Sequence, residues 1–515
     1  MKINLKTEKY INAVRKLDNC FDIKLDNSGM EVYVYRSDKF RLTVKRIGNT
    51  VKIYCPSDSA FFRALILLKE YEFSGDFCCE EIKKLNSVGY MVDCSRNAAY
   101  TVTTVKRIIQ HIALMGYDYL MLYCEDTIYN DDYPLLGYMR ARYSHSEIKE
   151  IVAFGKLYGI ELIPCIQTLA HLKGLVKWKK YNEMADVNDI LLVDDERTYQ
   201  FIESMIKTMR ELYETDKIHI GMDEAFLLGR GRYMDKHGLK PQNEIFKKHI
   251  NRVVDICDKY GFIRQIMWSA NVKKEEIPQS VSMVFWDYYS FEKKDYLKLL
   301  DEADEYSGNI IFGDSAYKCT GIASTMRHSM NIAPAALAAC DEKGVKDVLV
   351  TAWGDSGAEC TVFAPLAVLQ LHAEYAYSCS IDMGNVNRRL KLTAGISAEA
   401  ILDFDYCNLL PGTDLVYAVN PGTALLYQDV LSGVLDKHVS CAPDASTYLK
   451  DGIRLFEEYS LKYPEFAYAF DVQKSLCRVL SVKWNLGVLF LMSMGIYFST
   501  LKLPQTIRMM VYISD

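Results

Sequence analysis

Between Val88 and about Ser380, short runs of Val, Ile, Leu and Met alternate with longer stretches whose apolar residues recur roughly every three or four positions. The short runs are GYMVDC from Gly89, DYLMLYC from Asp118, IELIPCIQ from Ile160, KIHIGMD from Lys217, QIMWSA from Gln265, SMVFWDYY from Ser282, NIIFGDSAY from Asn309 and DVLVTAWGD from Asp347, eight in all. Near-continuous apolar runs read as strands buried on both faces, and the amphipathic stretches between them read as the helices that cover them. Helix punctuation agrees: Ser144 followed by Glu147 has the form of a capping box, and Gly159 and Gly261 stand where helices stop. The pattern predicts an α/β protein with a (β/α)8 TIM barrel over residues 88–385. A doubly wound sheet competes, but the turn after the first strand reads DCSRNA where a GxGxxG phosphate loop is needed.

Residues 1–87 read as an N-terminal α+β domain and residues 386–515 as a mostly helical C-terminal domain punctuated at Pro411-Gly412 and Pro421-Gly422. From Val488 onward only Lys502, Arg508 and Asp515 are charged, three of 28 residues against 25% for the chain, so a truncated or frameshifted end after about residue 487 is expected. The uncharged run Asn485 to Leu501 has 17 residues, short of the ~20 that cross a bilayer. A buried helix is expected there, with no membrane partner.

Lys+Arg 61 against Asp+Glu 67 gives 61 − 67 = −6, which leaves no basic surplus to displace counterions from a nucleic acid. Fifteen cysteines without CxxC pairs, and a first twenty residues without an apolar core, suggest a reduced cytoplasmic protein without structural zinc or a cofactor.

Barrel chemistry sits at the C-terminal strand ends. There the sequence places Asp93 and Arg96, Glu125 and Asp126, Gln167 and His171, Asp223 and Glu224, Trp268, Trp286 with Asp287 and Tyr288, Asp314 and Tyr317, and Trp353 with Asp355; three of the five tryptophans stand at this end. In KIHIGMDEA, alternation puts His219, Gly221 and Asp223 on one face, so Asp223 and Glu224 share a pocket only if the chain is already leaving the strand. An acidic pair alone is ordinarily a solvated loop, and any one tryptophan is ordinarily core. An acidic pair beside several indoles and an arginine instead suits a sugar, whose CH faces pack on aromatic walls while its hydroxyls take directed hydrogen bonds.

HIGMDEA, with DCSRNAAYT on strand one, YCED on strand two, QTLAHLKGLVKW after strand three and WGD on strand eight, resembles the family 20 glycoside hydrolases, the exo-β-N-acetylhexosaminidases, in their cytoplasmic three-domain type. The resemblance spans roughly residues 1–487, and HxGxDE is its most specific element. It implies a retaining, substrate-assisted reaction in which the 2-acetamido oxygen attacks C1 to form an oxazolinium. Glu224 is then the general acid and later base, and Asp223 holds the acetamido N–H. Asp126 and His171 form a relay that tunes the acid, Arg96 forks onto ring hydroxyls, Trp268, Trp286 and Trp353 wall the sugar, and Asp355 or Glu359 binds the 4- and 6-hydroxyls. Tyr288 and Tyr317 both stand for the tyrosine that meets the acetamido oxygen. The implied partner is an oligosaccharide or glycoconjugate with terminal β-linked N-acetylglucosamine or N-acetylgalactosamine, and a homodimer stays open. YKCTGIAST departs from the family in lacking an aromatic near Cys319. Two other readings compete: a barrel that binds sugar without turnover, and a metal-dependent enzyme using Asp93, Asp126, Asp223 and Glu224 as oxygen ligands.

Overall fold

The computed structural model describes residues 1–38, 40–270, 277–378, 380–411, 420–432 and 445–493 of the chain. Residues 271–276 and the charge-poor tail beyond residue 493 lie outside the described residues.

All eight apolar runs become parallel strands of one closed barrel: Ser87–Asp93, Tyr119–Cys124, Glu161–Ile166, Lys217–His219, Arg264–Trp268, Val281–Trp286, Ile310–Ser315 and Asp347–Ala352. Closure is in register from Asp347 opposite Ser87 to Ala352 opposite Val92. Alternate residues fill the interior, among them Met91, Tyr119, Met121, Tyr123, Cys165, Trp268 and Leu349. Gly89 is the notch that admits the Tyr119 ring, because a Cβ there would stand 2.0 Å from it. Around the barrel, the Ser144–Glu147 capping box opens the helix His145–Leu157, and Gly159 and Gly261 end helices with φ of +70° and +81°.

Before the barrel lies a mixed six-stranded sheet whose edge strand is Phe77–Ile82. A buried ion network fastens it to the barrel. Arg63, from the helix Asp58–Glu70, donates to Glu81 on the edge strand and to Glu374 on the barrel helix Leu366–Ser378. Arg389 donates to Glu70, Glu81 and Glu374 from the following helix, Met383–Ala394.

The C-terminal part is helical, and it shapes one side of the barrel mouth. Thr325 begins the barrel helix Met326–Lys343 without capping it by its own side chain. Asp405, from the short 3-10 helix Asp403–Asn408, supplies the missing acceptor for the N–H groups of Met326 and Arg327 and for the Ser324 hydroxyl. Thr423 donates to Thr320 O and Gln473 to Ile322 O, so the loop after the seventh strand is clamped from outside the barrel. Pro464–Ser493 is helical, long and apolar enough to cross a membrane by length and composition, and 39% of its most apolar window is buried against the chain.

Candidate active site

The fourth strand stops at His219, and the chain then turns through Gly221, Met222 and Glu224, all with positive φ (+72°, +77° and +54°). Left-handed backbone at two non-glycine residues costs of order 1–3 kcal/mol each and persists only where the surroundings enforce it. This turn breaks the strand alternation and brings the Asp223 and Glu224 carboxylates into one pocket. Gly221 has no alternative there, since a Cβ would lie 2.0 Å from Gln167 Oε1. His219 supports the turn from below: its Nδ1 accepts the Gly221 N–H at 3.1 Å, its ring packs on Trp268, and burial drives its pKa down to about 3. It is therefore a neutral prop, and the HxG half of the motif is structural.

Gln167 fixes the charge of Asp223. Its Oε1 accepts the Met222 N–H at 3.1 Å, so its Nε2 must be the atom that donates to Asp223 Oδ1 at 2.7 Å and to the Tyr123 hydroxyl at 2.8 Å. Tyr123 in turn donates to Glu125 Oε1 at 3.0 Å. Burial alone would raise the Asp223 pKa, but His171 and Gln167 outweigh it and hold the carboxyl below its ordinary range. Asp223 is deep, with 14% of its side chain exposed, whereas Glu224 stands at the mouth with 47% exposed.

His171 Nε2 lies 3.4 Å from both Asp223 Oδ2 and Glu224 Oε2. Burial opposes its protonation, yet the Asp223 carboxylate prevails and its pKa rises. The aromatic wall is made by Trp268, Trp286 and Trp353, with Trp268 and Trp353 5.3 Å apart and Trp286 stacked on Tyr288. Tyr288 is buried, and its hydroxyl accepts from Trp353 Nε1 at 3.1 Å. Tyr317 and Asp355 complete that side of a cavity of about 190 Å³, together with Tyr289, Ser315 and Cys319. Arg96 faces the same space, paired with Asp93 (3.2 Å), Glu125 (3.4 Å) and Asp355 (3.7 Å) over the Tyr123 and Trp353 rings. Burial raises the Asp355 pKa against the pull of Arg96.

Two sequence expectations need correction. Asp126 does not line the pocket: it is 1% exposed, its Oδ2 is held by Arg140 at 3.2 Å, and the His171 contacts run to Asp223 and Glu224 instead. Glu125, its neighbour, is the second-strand carboxylate that reaches Arg96. Glu359 turns away from the pocket to accept from Tyr427 at 2.8 Å. Trp178 packs against Tyr138 outside the lining, and the wall consists of Trp268, Trp286 and Trp353. In the sequence Gln167 and Glu125 stand at strand ends with no role of their own, and Tyr123 is one more residue of an apolar run. The parity of DYLMLYC and IELIPCIQ was the available signal, because it points Tyr123 and Gln167 inward.

Among the described residues, one group of three offers ligand atoms all within 4.8 Å of one another: His171, Asp223 and Glu224. Asp93 and Asp126 do not join it. Asp93 is spent on the Ser95 and Gly354 N–H groups and on Arg96, and Asp126 Oδ2 is held by Arg140. A larger cavity of about 470 Å³ opens at the opposite end of the barrel. Its cations Lys217, Arg264, Lys343 and Lys346 are each paired with an acid, and it lies at the end of a barrel that carries stability rather than chemistry.

Residues 88–303 match the model of glycosyl hydrolase family 20, catalytic domain, and residues 399–491 match the glycoside hydrolase 20C C-terminal domain. Among curated proteins, hexosaminidase D of Bos taurus is 26% identical over 181 residues, 31% of this chain and 52% of that protein. Beta-hexosaminidase 1 of Coccidioides posadasii is 20% identical over 313 residues, 52% of each. The chain thus spans about half the length of these relatives. In fold it is similar to the family 20 β-N-acetylhexosaminidase of Streptomyces coelicolor A3(2), with TM-score 0.59 and 17% identity over 77% of this chain and 92% of that one. The Flavobacterium johnsoniae chitobiase superposes with TM-score 0.60 and 16% identity over 98% of this chain and 91% of its own.

Proposed function

The chain belongs to glycoside hydrolase family 20, and from that premise we propose that it is an exo-acting, retaining β-N-acetylhexosaminidase that releases terminal β-linked N-acetylglucosamine or N-acetylgalactosamine by substrate-assisted catalysis. The observation that carries this reading is the division between the two adjacent carboxylates: Asp223 deep and held ionised by Gln167 and His171, Glu224 at the mouth.

The non-reducing sugar enters the aromatic pocket, which is small enough to favour one ring over a chain and so supports exo action. Its 2-acetamido group turns toward Asp223, whose Oδ2, 3.4 Å from His171 Nε2, accepts the acetamido N–H while Gln167 occupies Oδ1. The acetamido oxygen attacks C1 from the face opposite the leaving group. Glu224 gives its proton to the departing glycosidic oxygen as the C1–O bond breaks. Positive charge then develops on the oxazolinium beside the Asp223 carboxylate, where a preformed anion stabilises it without reorganisation. Glu224, now a carboxylate, takes a proton from water as that water adds to C1, which opens the oxazolinium and returns the β configuration. Arg96 and Asp355 offer donors and acceptors to the ring hydroxyls.

Matched aryl glycosides test the reading. Rapid hydrolysis of the aryl N-acetyl-β-glucosaminide with little hydrolysis of the aryl β-glucoside is expected, and equal rates on both would defeat it.

A further inference from the structure

Two distances in the acidic cluster suit a metal ion better than a shared proton. His171 Nε2 stands 3.4 Å from Asp223 Oδ2 and 3.4 Å from Glu224 Oε2. A charge-assisted N–H···O bond closes to about 2.7–2.9 Å, and His171 Nε2 is a buried atom with no hydrogen-bond partner. A tetrahedral Zn²⁺ with bonds of about 2.0–2.1 Å has ligand-to-ligand edges of about 3.4 Å. Asp223 Oδ2 is the available oxygen of its carboxylate, because Gln167 holds Oδ1 and thereby sets the orientation of the group. His171 stands at a backbone φ of +59° in the loop that presents it.

We propose that His171, Asp223 and Glu224 form a Zn²⁺ site and that the bound ion inhibits the enzyme by competing with substrate. The donor set of one imidazole and two carboxylates favours zinc over Mg²⁺, which takes oxygen ligands in octahedral geometry. Binding rests on the hexosaminidase reading only for its consequence: the ion occupies the oxygen that accepts the acetamido N–H and the carboxyl that delivers the proton. Zinc here is an inhibitor, so a chelator leaves activity intact.

The test uses the full chain, stripped with EDTA and then titrated with zinc chloride. Calorimetry reads binding, and hydrolysis of an aryl N-acetyl-β-glucosaminide reads inhibition. The expected result is unchanged activity after stripping, an apparent KM that rises with added zinc at constant kcat, and no such effect from magnesium chloride. Zinc affinity falls about tenfold or more in His171→Gln. Glu224→Gln, at the more exposed position, serves as the second variant should His171→Gln fail to fold. Thiols elsewhere add background sites, so the difference between parent and variant is the quantity read. Zinc affinity unchanged in the folded variants, inhibition that lowers kcat without raising KM, or activity that needs zinc would each overturn the proposal. Zinc binding lost in the variants of a protein that hydrolyses no N-acetylhexosaminide would overturn the hexosaminidase reading and leave the metal site standing.

Discussion

The Gln167 amide donates to Asp223 Oδ1 across 2.7 Å, and its other end is pinned by the Met222 N–H. The donor therefore cannot flip away, and Asp223 is held as an acceptor.

Replacing Gln167 by Met removes that donor. The Asp223 pKa, now depressed by His171 and Gln167 against burial, moves up, so the acid limb of the kcat/KM profile shifts to higher pH. A hydrogen bond to a charged group contributes about 1.5–3 kcal/mol, which corresponds to a roughly tenfold to hundredfold loss at the low end of the profile. Gln167→Glu keeps the acceptor for Met222 but sets an anion against Asp223, and a larger shift is expected. Rates measured across pH for the three proteins check this.

Gly221→Ala places a Cβ 2.0 Å from Gln167 Oε1 at a φ of +72°. The variant is expected to lose about 1–3 kcal/mol of stability and nearly all turnover, since relief of the clash moves Asp223 and Gln167 apart. Thermal melting and steady-state kinetics read the two effects separately.

The strand-seven loop that presents Tyr317 and Cys319 leads into a helix capped by Asp405 from the C-terminal part. Asp405→Ala leaves two helix N–H groups without their acceptor, at a cost of about 1–2 kcal/mol. The loosened loop raises KM more than it lowers kcat, which kinetics on the purified variant will show.

Glu81 is held below its ordinary carboxyl range because Arg63 and Arg389 outweigh the effect of its burial. The sign follows: its contribution to stability is present above its ordinary pKa of 4.5 and is lost as pH falls through the lower folded value. Chemical denaturation of Glu81→Gln between pH 3 and about 7 is expected to give a flatter acid side than the parent. Near neutrality, removing one partner from this buried network costs about 3–5 kcal/mol.

The barrel was legible because strand burial on two faces writes itself as apolar runs, and all eight runs became strands. The KIHIGMD run is longer than the strand it forms: the ladder ends at His219, where left-handed residues take over, and alternation no longer says where Asp223 and Glu224 point. Spacing could announce the pair, but not that one carboxylate is deep and the other at the mouth. Asp126 failed as a site residue for a related reason. Adjacent residues at a strand exit diverge, and only Glu125 had a cation waiting on the pocket side. Long-range partners such as Gln167 for Asp223 and Asp405 for the helix at Met326 join segments 56 and 79 residues apart, and no local pattern encodes them.

The central claim is that the substrate's own acetamido oxygen attacks C1 while Asp223 steadies the charge that results. Its most direct measurement is the hydrolysis rate of aryl β-glucosaminides whose N-acyl methyl group carries zero, one, two or three fluorines. Each fluorine drains the attacking oxygen of electron density without altering the leaving group. The account predicts a steep, monotonic fall in kcat/KM across the series. Rates that stay level would contradict it, because a water or enzyme nucleophile does not depend on the acyl oxygen.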